Sequence, residues 1–386
     1  GLAMTSAPLP AWVFDGRTGV HAPEGSWSAS ASVLKPRSTL PVYGRQLYPE
    51  QVFGAAEPEA GVTLWENAGV RLWTLPAKDA RIGILSFKSK MHAIGDEVLD
   101  GVLEAIARAE RDLDGLVLWH EAPFAVGADL QQVADACKAG QFDLLEKTVA
   151  KFQRAAMALK HALVPTVAAV QGMALGGGCE FAMHATHRVL ALESYLGLVE
   201  VGVGLIPAGG GSKELALRAA SLANRAAGGD VFPFIQNMFQ TVAMANVSKS
   251  ALQAVELGFA TASDDIVFNP RELLHVALHR ARALAESGYQ PPLVQRAVKV
   301  AGRNGIATCE MMLINMLEGG FISPWDYRVG RAVATALCGG EVDTNAKVSE
   351  QWMLDVERAL FVDLLKTEKT QQRIQYMLET GKPLRN

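Results

Sequence analysis

Val167-Ala168-Ala169-Val170-Gln171-Gly172-Met173-Ala174-Leu175-Gly176-Gly177-Gly178-Cys179-Glu180 is the stretch whose reading decides the fold. Its apolar start reads as a buried strand. The run of glycines reads as a turn, and Phe181-Ala182-Met183 can open a helix. Backbone N–H groups at that helix start point into the turn, where they stabilise negative charge, and glycine lets a ligand approach the main chain closely. The same glycines would also serve a tight strand-to-helix turn that holds no ligand, and alone they do not choose between the two. Upstream, Pro165 closes a helix predicted over 141–162, in which Phe142, Leu145, Val149, Phe152 and Ala156 recur at helical spacing. Arg81-Ile82-Gly83-Ile84-Leu85-Ser86-Phe87 and Leu116-Val117-Leu118-Trp119 read as further buried strands. Between them, 96–111 sets Val98, Leu99, Val102, Leu103 and Ile106 on one helical stripe. Strands alternating with helices predict an α/β domain.

Two more turns stand beside this one. Phe124-Ala125-Val126-Gly127-Ala128-Asp129 follows a strand ending near His120, and a Gly-Ala-Asp turn most often only caps a helix. Gly197-Leu198-Val199-Glu200-Val201-Gly202-Val203-Gly204-Leu205-Ile206-Pro207-Ala208-Gly209-Gly210-Gly211 holds a single carboxylate, Glu200, in an otherwise uncharged run. A carboxyl in apolar surroundings binds its proton more tightly and can exchange it near neutral pH, whereas a solvated Glu at a strand end would not. Cys179, His184 and His187 read as packing residues. His275 and His279 share a helical face, but no HExxH and no third ligand accompany them, so no metal site is expected.

The chain has 386 residues, 49% hydrophobic and 20% charged, which is ample for a large core and excludes general disorder. Lys plus Arg number 36 against 40 Asp plus Glu, a net charge of −4 with no basic block, so nucleic acid is not an expected partner. The four cysteines, Cys137, Cys179, Cys309 and Cys338, form no CxxC, which argues against a disulfide framework and for a reducing, cytoplasmic setting. The uncharged run 162–179 contains Pro165, Gln171 and several glycines, so it reads as sheet and turn, and no membrane span is expected. Gly1-Leu2-Ala3-Met4 lacks the basic-then-apolar pattern of an export signal. Residues 1–75, rich in Pro, Ser and Gly, read as an extended arm or linker, 76–265 as the α/β domain and 266–386 as a helical region. That last part is predicted to carry helices over 271–287, 306–317 and 351–380, with Met311, Met312 and Met316 in its core.

Taken together and in order, the three turns resemble the crotonase superfamily, the enoyl-CoA hydratase/isomerase family, over 81–262. The resemblance implies an α/β crotonase-like (ClpP/crotonase) fold of repeated ββα units with an extended C-terminal helical region. It implies an enoyl-CoA hydratase that adds water to 2-enoyl-CoA thioesters in fatty acid β-oxidation. Glu180 and Glu200 match the catalytic glutamates, the first holding water and the second exchanging the α-proton. The backbone N–H groups of Ala128 and Gly177 match the oxyanion hole. Lys88, Lys90, Ala93, Val126 and Asp129 fall where the family binds the CoA thioester, and the Ala208 N–H where it positions water. No metal and no separate cofactor are implied, because coenzyme A is part of the substrate; self-association through the helical half is. Alternatives are a Δ3-Δ2 enoyl-CoA isomerase and a non-catalytic CoA-thioester-binding assembly domain.

The sequence departs from the family pattern at His92, Leu198-Val199, Thr186 and Ala208. The flanks, Pro8-Leu9-Pro10-Ala11-Trp12 and Glu368-Lys369-Thr370 through Lys382-Pro383-Leu384-Arg385-Asn386, are similar to bacterial bifunctional 3-hydroxyacyl-CoA dehydrogenase/enoyl-CoA hydratase proteins. No GxGxxG follows an early strand, so the expectation is a C-terminal fragment whose covalently linked dehydrogenase domain lies outside this sequence.

Overall fold

The structure, a computed structural model, describes residues 8–16, 20–22, 24–36, 40–46, 61–226 and 229–386. The chain divides into two compact units, Gly1–Val62 and Thr63–Asn386. In the first, β1 (His21–Ala22), β2 (Gly25–Ser28) and β3 (Val33–Lys35) form a small antiparallel sheet. Gly25 closes against the Lys35 carbonyl, where a Cβ would come within 2.3 Å of its oxygen.

The second unit is built on a seven-stranded sheet. Its strands are β4 (Val62–Glu66), β5 (Val70–Leu75), β6 (Asp79–Phe87), β7 (Gly115–Leu118), β8 (Thr166–Leu175), β9 (His187–Gly197) and β10 (Asp265–Val267). They lie in the order β10-β9-β8-β7-β6-β5-β4, with β6 to β10 parallel and β5 antiparallel to β6. Strands buried on both faces read as continuous apolar runs, which is why β6, β7 and β8 are legible in the sequence. Along them the side chains alternate between two packed faces. Leu85, Leu116, Leu118, Ala168 and Val170 join the main core with Val98, Leu99 and Val102 of α1 (Asp96–Asp112). Ile82, Ile84, Val117, Val167 and Ala169 are equally buried on the other face, where α8 (Leu273–Glu286) packs across β6 to β9.

The main sheet reaches into both flanking segments of the sequence reading. β4 and β5, assigned to the arm of 1–75, belong to the main sheet, and residues 266–386 share one compact unit with the α/β core. β5 was hidden because Arg71 and Thr74 interrupt its apolar residues, yet Val70 and Leu72 are fully buried and Arg71 lies over the Trp73 ring at 4.8 Å.

The remaining helices are α2 (Leu130–Lys138), α3 (Phe142–His161), α4 (Gly177–His184), α5 (Gly211–Arg225), α6 (Phe232–Ala243), α7 (Ala251–Glu256), α9 (Gly302–Glu318), α10 (Pro324–Leu337), α11 (Glu350–Leu365) and α12 (Glu368–Thr380). The single helix predicted over 351–380 is therefore two, broken at Thr367, whose extended backbone (φ −95°, ψ 139°) lets α12 turn back. There Thr370 Oγ1 donates to the Gly204 carbonyl at 2.8 Å. In α9 the core face is Ile306, Cys309 and Leu313, whereas Met311 is 57% exposed, against the core role read for it. Among the described residues no helix is long and apolar enough to cross a membrane.

Arg282 of α8 anchors the helix to the sheet. Its guanidinium holds both Asp79 oxygens at 2.8 Å and Asp114 Oδ2 at 2.8 Å. Hydrogen bonds from Arg81 and Arg282 hold the Asp114 carboxyl down at about 2. A depressed carboxyl stabilises the fold above its unfolded value of 3.8 and loses that contribution as pH falls toward 2. Arg282→Met is expected to cost about 1 kcal/mol at pH 7, an effect that denaturant titration should find much reduced near pH 2.5.

Candidate active site

The site begins where β8 ends. Gly176 takes a left-handed φ of 51° with ψ −123°, a conformation that disfavours any side chain, and turns the chain into α4. The 124–129 turn is sewn onto the same strand end. Phe124 N–H donates to Gln171 O at 3.0 Å, Ala125 N–H to Met173 O at 3.0 Å, and Leu175 N–H to Ala125 O at 2.9 Å. A Cβ on Gly127 would stand 3.1 Å from Leu175 O and 3.6 Å from Gly177 N, so the two turns touch through their main chains. From the other side Ile94 N–H donates to Gly127 O at 2.8 Å and Asp129 N–H to Ile94 O at 3.1 Å. Among the described residues the N–H groups of Ala128 and Gly177 are left without an acceptor on the protein.

A buried imidazole supports the 124–129 turn. His120 stacks on Phe124 at 5.3 Å and meets the tilted rings of Phe87 at 5.0 Å and His92 at 4.0 Å. Its Nε2–H donates to Phe124 O and its Nδ1 accepts from Phe87 N–H. Burial, with the neighbouring His92, pushes it down to about 3, so it stays neutral. His92 in turn bonds Pro123 O through Nδ1 at 2.6 Å.

Glu180 lies one turn into α4 and is 3% exposed. Its Oε1 accepts the N–H groups of Gly209 and Gly211, each at 2.8 Å. A Cβ on Gly209 would fall 2.5 Å from Oε2 and one on Gly211 2.8 Å from Oε1, so the carboxyl fits only against glycine. Burial pushes Glu180 up to about 7, opposed by the Gly211 and Gly209 N–H groups and by the Lys213 charge. Glu200 opens a short 3-10 turn after β9, and its Oε1 lies 3.1 Å from where a Gly176 Cβ would stand. Its Oε2 is buried with no hydrogen-bond partner. Burial first, then the Glu180 charge, push its carboxyl well above the usual range. The glutamates therefore titrate as a pair, both carboxyls raised by burial.

The raised affinity of Glu180 for its proton has a consequence for stability. It favours the folded state fully below the unfolded value of 4.5, and that support is lost as pH rises through about 7. Glu180→Gln, which removes the buried charge, is expected to stabilise the protein at pH 8 by on the order of 2 kcal/mol. Near pH 4 the gain should vanish, as thermal melts at the two pH values would register.

The other residues singled out in the sequence divide. Ala93 and Val126 are half-buried around the 94–127 pairing, and the Ala93 carbonyl accepts from Ser89 Oγ at 2.7 Å. Asp129 is the N-cap of α2, its Oδ1 accepting from Gln131 N–H at 3.0 Å and Gln132 N–H at 3.3 Å, so its carboxylate is engaged in capping. Lys88 gives its ammonium to Glu66 at 3.0 Å and to Asn67 O at 2.8 Å, which leaves Lys90 as the exposed cation of this segment without an ion-pair partner among the described residues. Ala208 is buried and offers its carbonyl to Gln153 Nε2 at 2.9 Å, while the N–H groups that reach Glu180 come from Gly209 and Gly211. Thr186 has a structural place, 3.0 Å from Tyr289 Oη. Sequence reading missed Glu357 of α11, buried against Lys213 N at 3.2 Å and Gln153 Nε2 at 3.2 Å. Burial and the Glu180 charge push its carboxyl up as well. No spacing in the chain announces it.

Residues 79–227 match the family model for enoyl-CoA hydratase/isomerase. A probable 3-hydroxyacyl-CoA dehydrogenase of Bacillus subtilis is 37% identical over 306 residues, 79% of this chain and 38% of that protein. A fatty acid oxidation complex subunit alpha of Idiomarina loihiensis is 30% identical over 293 residues, 74% of this chain and 37% of that protein. The chain thus spans less than two fifths of the length of either relative. In fold it is similar to a crystal structure of an enoyl-CoA hydratase from Bacillus halodurans, with TM-score 0.52 and 15% identity, covering 79% of this chain and 98% of the other. That likeness fixes the architecture, and the matched segment runs from β6 into α5, taking in both glycine turns and both glutamates. With strands β6 to β9, the turns and the carboxyl pair all falling inside that match, this segment of the chain belongs to the crotonase superfamily, the enoyl-CoA hydratase/isomerase family.

Proposed function

We propose that the chain is an enoyl-CoA hydratase acting on 2-enoyl-CoA thioesters in fatty acid β-oxidation. The observation that carries this reading is the pair of buried carboxyls, Glu180 and Glu200, beside two unengaged main-chain N–H groups. Addition of water to a 2-enoyl thioester builds charge on the thioester oxygen, and fixed donors stabilise that charge. The N–H groups of Ala128 and Gly177 take this role. Glu180, half-ionised near pH 7, removes a proton from water as its oxygen bonds to C3. The electron pair of the double bond moves through C2 onto the thioester oxygen. Glu200, its carboxyl raised by burial and by the Glu180 charge, then gives a proton to C2, and exchange between the carboxyls and solvent restores the starting state. Water adds as OH to C3 and H to C2 with no net oxidation or reduction, so the reading calls for no redox cofactor, and coenzyme A enters as part of the substrate.

Lys90 is the cation we assign to the CoA phosphates, with Ala93 and Val126 lining the approach to the two N–H donors. The relatives named for fatty acid oxidation and 3-hydroxyacyl-CoA dehydrogenation support a place in β-oxidation, where a linked dehydrogenase would consume the 3-hydroxyacyl product. The deciding experiment offers 2-enoyl-CoA and 3-enoyl-CoA separately, with EDTA present, and identifies products by mass spectrometry. A 3-hydroxyacyl-CoA from the 2-enoyl ester supports the reading. Double-bond migration without hydration would replace it with an isomerase, and binding without turnover with a CoA-thioester-binding assembly domain.

Self-association through the helical half belongs to the same proposal. Ile314 and Phe321, 45% and 72% exposed, put apolar surface there in addition to Met311. Light scattering is expected to return a multiple of the chain mass, and a mass of one chain would reject this part.

A further inference from the structure

Behind the glycine turn that holds Glu180 lies a cluster of buried charges that the mechanism above does not use. Lys213 is fully buried, and its Nζ is 2.6 Å from Glu214 Oε1, 3.4 Å from Glu350 Oε2 and 3.0 Å from His184 Nε2. Lys160 of α3 closes the group, 2.5 Å from Glu214 and 3.0 Å from Glu350. Its members come from α3, α4, α5 and α11, so the C-terminal helical region supplies one of the two anions. Two ammonium groups and two carboxylates balance. Such a cluster is costly to desolvate and adds little stability over apolar packing, which makes a functional reason for it worth seeking.

Its geometry relates it to Glu180. His184 lies one turn after Glu180 on α4, and its Nδ1–H donates to the Glu180 carbonyl at 2.7 Å. That leaves Nε2 to accept from the Lys213 ammonium. A Cβ on Gly210 would meet His184 Nε2 at 2.7 Å and Lys213 Cε at 3.6 Å, while the neighbours Gly209 and Gly211 donate to the Glu180 carboxyl. Lys213 thus stands on the back of the turn whose front holds Glu180.

We propose that Lys213 is a positioning residue that sets how readily Glu180 takes up and gives back a proton, with Glu214, Glu350 and His184 holding its ammonium in place. The inference rests on Glu180 acting in proton transfer, as proposed above. Lys213 draws Glu180 toward its ionised form, in opposition to burial. The other charged or titratable groups around Glu180 are Glu200 after β9, Glu357 of α11 and Cys179 on its own helix. Beyond Glu214 come Arg218 of α5 and, behind it, Arg188 and Asp264. Glu214 and Glu350 are both held ionised, their carboxyls depressed by the lysines against the effect of burial. Removing Lys213 therefore leaves a net negative cluster behind Glu180, and removing the Glu350 charge leaves a net positive one.

The test is the pH profile of kcat/KM for hydration by Lys213→Met and Glu350→Gln, set beside a pH titration of the Glu180 carboxyl by 13C NMR, assigned with Glu180→Gln. The acid limb and the carboxyl titration should move up by about one pH unit in Lys213→Met and down by a similar amount in Glu350→Gln. A purely structural role would lower activity in both without opposite shifts. Lys160→Met, which alters the same cluster at its more exposed edge, serves if Lys213→Met does not fold and should also move the titration up. Unmoved titrations, shifts of one sign in both directions of charge change, or loss of the fold in all three variants would overturn the proposal. The NMR arm needs no turnover. Opposite carboxyl shifts in a protein that fails to hydrate enoyl-CoA would sink the hydratase reading and leave the influence of Lys213 on Glu180 standing.

Discussion

Replacing either glutamate by glutamine should abolish most hydration: Glu180→Gln and Glu200→Gln are each expected to lose on the order of 10²- to 10⁴-fold in kcat, the usual contribution of a general acid or base. The loss should fall on kcat with little change in thioester affinity, because the Ala128 and Gly177 N–H groups are untouched. At position 180 the amide oxygen of glutamine can still accept from Gly209 and Gly211 N–H, so the turn is kept and only the proton is lost. The same variant is the one expected to melt higher at pH 8. A protein that becomes more stable as it loses its activity is the signature of a buried charge kept for chemistry. Steady-state hydration with isothermal titration of a saturated acyl-CoA would check both halves. Retention of more than a tenth of wild-type kcat in either variant would remove that glutamate from the mechanism.

Gly178→Ala is the second change with a large expected effect. A Cβ there would lie 2.5 Å from the Ala125 carbonyl oxygen and 2.7 Å from the Ala125 Cβ. The first of these atoms is main chain, and that carbonyl already accepts Leu175 N–H at 2.9 Å, so the new methyl must push the 124–129 turn away from β8. Overpacking of this kind costs about 1–3 kcal/mol. Its catalytic cost should be greater, because the displaced turn carries the Ala128 N–H. Misplacing one oxyanion donor is worth on the order of 10²- to 10³-fold in rate. Measuring kcat beside the urea midpoint separates the two effects. A normal kcat in a destabilised protein would mean that the turn moves without taking the donor with it.

What could be read in the sequence follows from how local each feature is. The glycine turn after β8 is a local object, since three consecutive glycines between an apolar run and a helix start dictate where the N–H groups point. Glu180 and Glu200 were legible for the same reason. The central strands were legible because burial on both faces leaves apolar runs in them, Ile82 to Leu85, Leu116 to Leu118 and Val167 to Val170, whereas Glu193 and Ser194 break the pattern of β9, and Ser194 is in fact fully buried with its hydroxyl on Val170 O and Ala191 O. The Lys88 ion pair was out of reach of the sequence for a related reason. Its partner Glu66 lies on β4, inside the 1–75 read as arm, and only the folded sheet sets the two side by side. Lys213, Glu350 and Glu357 could not be found by spacing at all, because helices far apart in the chain bring them together only on folding. The cap role of Asp129 was the plainer of two readings, and the side-chain bonds to Gln131 and Gln132 follow it.

The two N–H groups on Glu180 also bear on handedness. Both bind Oε1, and together they restrain the carboxyl from rotating, so one oxygen is committed and Oε2 is the one left to hold a water. A water held by a single fixed oxygen can reach C3 of a bound alkene from one side only. The hydration product should therefore be one enantiomer at C3, and chiral chromatography of the 3-hydroxyacyl product would read it directly. A racemic product would mean that the carboxyl turns over between catalytic events, a freedom that its seating against Gly209 and Gly211 denies it.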